Sequence, residues 1–230
     1  MGWKSFFIVV KPVVEFDRVA LLEGLGYGDL VPVGEDPFER AIYPDDDAVY
    51  IGQFGDCLLI CDVMLSSACL SEEVSPEEAF LMKTFPNTEI GVFVLQSTVN
   101  FWGYALLADG QKIRARAGSS DDGTFLDHGA PLSQEMSLLS KSILQPDGSR
   151  LYPDDYDPEE PMTEDQVGEE FVFALTARFF DEPLNTADEL MFETKLQQFG
   201  PAPAQDGTNP KLSPVGDPPQ TPPKPWWKFW

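Results

Sequence analysis

One histidine, three cysteines, and 15 lysines and arginines against 39 acidic residues are what this 230-residue chain has for cationic and metal-binding chemistry. Each shortage excludes something. A structural zinc site needs four ligands at short paired spacings, and Cys57, Cys61 and Cys69 have no second Cys/His pair to complete one. Their odd number, with no obvious secretory leader, points to reduced thiols rather than disulfides. Asp56 and Asp62 flank them, which is the wrong neighbourhood for a nucleophilic thiolate. A net charge of −24 repels phosphates over about a Debye length, so direct nucleic-acid binding by the body is not expected. The apolar run at residues 6–10 stops at Lys11 and Pro12, too short for a signal-peptide core or a membrane span. Phe6 stands where a myristoylation motif needs Ser or Thr.

Catalytic and ligand-binding signatures are equally sparse. No Gly-x-Ser-x-Gly elbow is present, and the one Asp-His pair, Asp127-His128, consists of chain neighbours, which rarely orient each other as base and support. The acidic runs at residues 45–47 and 154–160 lack the central Gly and terminal Glu of a calcium loop. Gly24-Leu25-Gly26-Tyr27-Gly28 ends a predicted helix instead of opening one, so the amides that cradle a phosphate are missing. These readings name no catalytic residue, no metal ligand and no cofactor.

With 43% hydrophobic and 12% aromatic residues, the chain can still bury a full core. Residues 3–10 form an apolar, β-branched run and read as a buried strand, and residues 14–25 read as a helix. Proline, glycine and aspartate over residues 32–47 predict a surface loop with at most one helical turn. Residues 48–54 and 56–63 predict a hairpin, with Cys57, Leu59 and Cys61 on one face. Ser75, Pro76 and Glu78 are an N-cap, a first helical position and a capping box for a helix to about Thr84. Strands at residues 88–97, 101–108 and 111–117 are joined in part by the tight turn Asp109-Gly110. Strict alternation in the last of them puts Lys112, Arg114 and Arg116 on one face, toward solvent or acidic neighbours. Thr163 caps the clearest helix, to about Asp181, and a weaker helix is predicted over residues 187–199.

The end of the chain has a different composition. Residues 200–225 contain nine prolines, predicting an extended tether, and three of the five tryptophans fall in the last five positions. Trp226, Trp227, Phe229 and Trp230 are therefore the candidate partner-binding residues, because exposed aromatics with Lys228 on the rim are what a groove on another protein grips. The predicted organisation is an α+β domain at residues 1–199, built on a mainly antiparallel sheet of hairpins packed by helices, then a Pro-rich linker at 200–225 and an aromatic motif at 226–230.

Several motifs in order carry a family resemblance: Met1-Gly2-Trp3-Lys4; the strand pair from Val49-Tyr50-Ile51-Gly52 to Cys61-Asp62; Ser97, Val99, Phe101, Gly103, Tyr104 and Ala105; the turn Asp109-Gly110 with Arg114 and Arg116 on its return; and Gly129-Ala130-Pro131-Leu132. The first 180 or so residues resemble a bacterial family of unknown function common in actinobacteria and their relatives. The resemblance implies a single α+β domain and assigns no activity. The expected function is that of a cytoplasmic, non-enzymatic interaction protein, whose acidic body and tethered peptide bind a protein partner, with bacterial conflict or toxin neutralisation as one setting. Two other readings stay open: a hydrolase-like enzyme with a cleft around His128, and weak association with a membrane surface through the aromatic tail. Oligomeric state is not legible.

Overall fold

A computed structural model describes residues 2–202 apart from Asp46, Asp155, Tyr156 and Pro158. In chain order the elements are β1 (Lys4–Lys11), α1 (Arg18–Gly24), β2 (Leu30–Pro37), α2 (Phe38–Ala41), β3 (Val49–Phe54), β4 (Cys57–Cys61), α3 (Val63–Ala68), α4 (Pro76–Thr84), β5 (Glu89–Gln96), β6 (Phe101–Ala108), β7 (Gln111–Ser119) and β8 (Gly123–His128). There follow α5 (Met136–Leu139), β9 (Ile143–Leu144), β10 (Arg150–Tyr152), β11 (Met162–Thr163), α6 (Gly168–Phe180) and β12 (Lys195–Pro201). Nine strands form one antiparallel sheet in the order β2-β12-β3-β4-β1-β5-β6-β7-β8, and β9 to β11 form a small second sheet. The fold is α+β, with a large antiparallel sheet packed by helices.

Helices cover both faces of the large sheet. Phe7, Val9, Leu59, Phe93 and Tyr104 pack with Phe38 of α2 and with Phe171, Leu175 and Phe179 of α6. On the other face Ile8, Val10, Leu58, Ile60 and Val92 pack with Leu21 of α1, Leu65 of α3 and Leu81 of α4. Double coverage explains why β1 and β4 read as continuous apolar runs instead of alternating. Cys57, Leu59 and Cys61 do share one face, as expected from the two-residue period.

The capping signals correspond to real helix starts. Ser75 Oγ accepts from the Glu78 amide at 3.1 Å while Glu78 Oε2 accepts from the Ser75 amide at 2.7 Å, and α4 runs from Pro76 to Thr84 as predicted. Thr163 and Gln166 close a second capping box over a 3-10 turn at Glu164–Gln166, and α6 itself starts only at Gly168. In α1 the helix begins at Arg18, four residues later than the periodicity suggested, because Asp17 takes the N-cap and accepts from the Val19 and Ala20 amides.

Two segments differ in kind. Residues 32–37, part of the predicted loop at 32–47, belong to a strand, while α2 supplies the helical turn expected in that stretch; β2 lies at the sheet edge, where the prolines Pro32 and Pro37 forfeit no ladder bond on the outer side. Residues 187–199 are not a helix. A π-helical turn at Glu189–Glu193 leads into extended Thr194, and β12 then slots between β2 and β3. Leu196 reaches one core and Phe199 the other, across a register shift between Gln198 and Phe199. Pairing on both sides of this strand outweighs the local helical spacing. Gly200 and Pro201 belong to β12, so the body extends two residues into the predicted linker.

Candidate functional site

The three basic residues of β7 are buried, and they do not share a face. A register shift between Leu106 and Leu107 sets Lys112 opposite Leu107 and Arg114 opposite Leu106, leaving Ile113 as the extra residue. Lys112 therefore turns toward α4, and Arg114 and Arg116 toward α6, which corrects the single-face expectation. Lys112 Nζ sits 2.9 Å from Glu78 Oε2 and donates to the carbonyls of Cys69, Ser71 and Glu73 at 2.7–3.0 Å. The side chains of Lys112 and Glu78 are 1% and 0% exposed. Burial raises the Glu78 carboxyl pKa above its ordinary value, and Lys112 opposes the rise.

Arg114 makes a forked contact with Glu135, Nε to Oε1 and Nη2 to Oε2, both at 2.8 Å. Its Nη1 donates to Asp127 at 2.6 Å and to the carbonyls of His128 and Gly129. Burial would lower the guanidinium pKa, but the bonds and charge of Glu135 reverse the sign and hold the proton on. Gly129 has a φ of +82°, and a Cβ there would lie 2.1 Å from the Ile113 carbonyl oxygen, so only glycine lets this loop close on β7. Arg116 Nη2 bonds Glu164 at 2.5 Å, and Glu164 also accepts from Tyr152 and from Thr124. Arg116 Nε and Nη1 make no hydrogen bond among the described residues, but Nε lies 3.8 Å from Asp127 Oδ1, and the guanidinium carbon lies 4.7 Å and 5.4 Å from the ring centroids of Phe171 and Trp102.

These contacts decide between the catalytic and structural uses of the same residues. The Asp127 carboxylate is held by Arg114 and does not support the His128 imidazole; consecutive strand residues point to opposite faces. Cys57, Cys61 and Cys69 are free and buried. Burial pushes the Cys57 thiol up to about 11 and the Cys69 thiol to about 12, and raises Cys61 well above the ordinary range, so these thiols stay protonated at neutral pH. No group of three or more potential metal ligands is found among the described residues, and no helix there is long and apolar enough to cross a membrane.

A cleft of about 420 Å³ opens elsewhere, lined by Tyr27, Leu30, Asp47, Ala48, Val49, Asp62 and Pro201. Its parts come from the loop after α1, the start of β2, the entry to β3, the end of β4 and the end of β12, so sequence reasoning saw Tyr27 and Asp62 separately and missed the site. Asp62 is the N-cap of α3, accepting from the Leu65 amide at 2.6 Å, and is 7% exposed. Burial raises its pKa, and bonds from the Leu65 amide and the Tyr27 phenol only partly offset this. Burial and the neighbouring Asp62 charge raise the Tyr27 phenol in turn. The cleft therefore offers carboxylate and phenol oxygens within apolar walls, a chemistry that suits a cation carried on an apolar or aromatic body.

Asp62→Asn should keep the cap, since Asn and Asp serve almost equally there. The raised pKa means that above the ordinary carboxylate value the native state holds a proton that the unfolded chain has released. The Asp62 contribution to stability therefore falls as pH rises through that window. Urea unfolding of both proteins from pH 4 to 8 should show the Asn variant gaining on the wild type with increasing pH; a gain on acidification would mean that the ionised form is the favoured one.

Trp226, Trp227, Phe229 and Trp230, together with linker residues 203–225, lie outside the described residues. No curated protein and no solved structure shows significant similarity to the chain. The model of a family of unknown function, DUF6928, matches residues 18–175, from α1 to the middle of α6 and so across the β7 ion pairs and most of the cleft. The chain belongs to that family.

Proposed function

We propose that this protein is a cytoplasmic, non-enzymatic binding protein of bacterial type, in which an acidic body carries a C-terminal aromatic peptide, residues 226–230, that grips a protein partner. The observation that carries this reading is the contrast across Pro201. The body uses its buried charges internally, as Lys112 with Glu78 and Arg114 with Glu135. The segment beyond the family match concentrates Trp226, Trp227, Phe229 and Trp230 around Lys228. Aromatic anchors with a basic rim are the usual energetic centre of a peptide-in-groove contact. Thiols that remain protonated and an Asp127 engaged by Arg114 support binding over catalysis. The acidity favours a basic partner such as a cationic effector, with long-range attraction raising the association rate.

The test uses the full chain and a full-length variant with Trp226, Trp227, Phe229 and Trp230 all changed to Ala. Pull-downs from a bacterial lysate should recover a defined basic protein with the wild type and lose it with the variant. Equal recovery by both would remove the peptide from the function, and tail-dependent sedimentation with liposomes would assign it to a membrane surface instead.

A further inference from the structure

We propose that the cleft beside Tyr27 and Asp62 is a docking site for this chain's own residues 226–230, with Lys228 against the Asp62 and Asp47 carboxylates and the aromatic side chains against Tyr27, Leu30 and Pro201. This rests on the reading of residues 226–230 as a binding peptide and adds what that peptide meets when no partner is present.

Position, length and charge support it. Pro201 both ends β12 and lines the cleft, so the chain leaves the body at the cleft's own lip. The next 23 residues, 203–225, can span on the order of 70 Å if extended at ~3.1 Å per residue, far more than a return to a neighbouring surface requires. Tethering at this length presents the end at an effective concentration of order millimolar, so even a weak contact is populated. Residues 203–230 carry Lys211, Lys224 and Lys228 against Asp206 and Asp217, whereas the rest of the chain is more negative than the whole. The cleft volume of about 420 Å³ is in the range of small-ligand sites, room for the lysyl chain with an indole beside it. Asp62 supplies a carboxylate that is 7% exposed, where an arriving ammonium is less screened than at the open surface. An amine there would also favour the ionised form of Asp62, against the burial that raises its pKa. Docking of this kind makes the peptide compete with its partner: the partner has to draw residues 226–230 out of the cleft, and the apparent affinity falls by the fraction docked.

The experiment places a nitroxide on the full chain through Thr221→Cys. The native thiols Cys57, Cys61 and Cys69 are buried and unreactive, so the label goes to the new site. Amide signals of Leu30, Ala48 and Val49 should broaden strongly in this protein. They should recover several-fold when Lys228→Glu or the four aromatic-to-Ala changes are added to the same labelled chain. Equal broadening with and without those changes would overturn the proposal, because it would reflect tether proximity alone. Equally strong broadening of unlabelled, isotope-enriched chain mixed with labelled chain would overturn it in favour of a second copy. Failure here with partner capture intact in the pull-down removes the docking and leaves the partner grip; loss of both removes the peptide's binding role altogether.

Discussion

Lys112→Met should cost about 3–5 kcal/mol of folding stability at neutral pH, because it leaves Glu78 buried without its countercharge. The four acceptors that Lys112 gathers, Glu78 Oε2 and the carbonyls of Cys69, Ser71 and Glu73, come from α4 and from the loop before it. Removing the ammonium therefore frees that loop from the sheet as well as unmasking a charge. The pH dependence identifies the cause. Burial already raises the Glu78 pKa against the opposing effect of Lys112, and the variant removes that opposition, so its native state holds the Glu78 proton further above the ordinary carboxylate range. Over that interval the unfolded state binds fewer protons than the native one, and the variant loses stability as pH rises. Urea unfolding should show a deficit that is large at pH 8 and shrinks toward pH 4. Adding Glu78→Gln should recover much of the loss at pH 8, since the amide removes the buried charge while its oxygen can still serve the Ser75 amide. A pH-independent deficit that Glu78→Gln does not relieve would show that packing, not charge, is what Lys112 contributes.

Arg114→Met should be of similar size, about 3–5 kcal/mol, and Arg114→Lys should rescue less than half of it. Both oxygens of Glu135 are held by Nε and Nη2 of one guanidinium, and Glu135 is 0% exposed in its side chain. A lysine can offer a charge to Glu135 but not the parallel fork, and it cannot also serve Asp127 and the carbonyls of His128 and Gly129. Because Glu135 also takes the Leu132 amide at 3.2 Å, the consequence should be local opening of the segment after β8 as well as a global loss. Hydrogen exchange should report lost protection across residues 129–139 in both variants, while the amides of β1 and β5 keep their wild-type order of exchange. A lysine variant with full stability would mean that charge alone holds this loop, and the forked geometry would have no energetic role.

Much of the fold was legible locally. The β6-β7 turn at Asp109-Gly110 and the Ser75 capping box each depend on residues within four positions of one another, and the structure places both as read. The candidate site was much less legible. The cleft draws Tyr27, Asp47, Asp62 and Pro201 from distant parts of the chain, and none of them carries a motif. Asp62 looked like a mark against a reactive cysteine; in the fold it is a helix cap with a raised pKa at the wall of a cavity. Glu135 carried no signal at all, because only the closure of the Gly129 loop brings it to Arg114.

Residue order alone determined the acidity, the capped helices, the hairpin turn, the apolar strands of the centre, and the separate composition of residues 200–230, because each is a property of composition or of near neighbours. Tertiary structure alone decided how strands distant in sequence pair, as β12 with β2 and β3 and β1 with β4 and β5, and that settled the rest. The insertion of β12 between β2 and β3 turned a helical pattern into a strand and put Pro201 at the cleft. One extra residue at Ile113 sent Lys112 to one core face and Arg114 to the other. Both outcomes follow from pairing and burial across long sequence separations, where the gain of satisfying two sheet edges and two buried carboxylates exceeds any local preference.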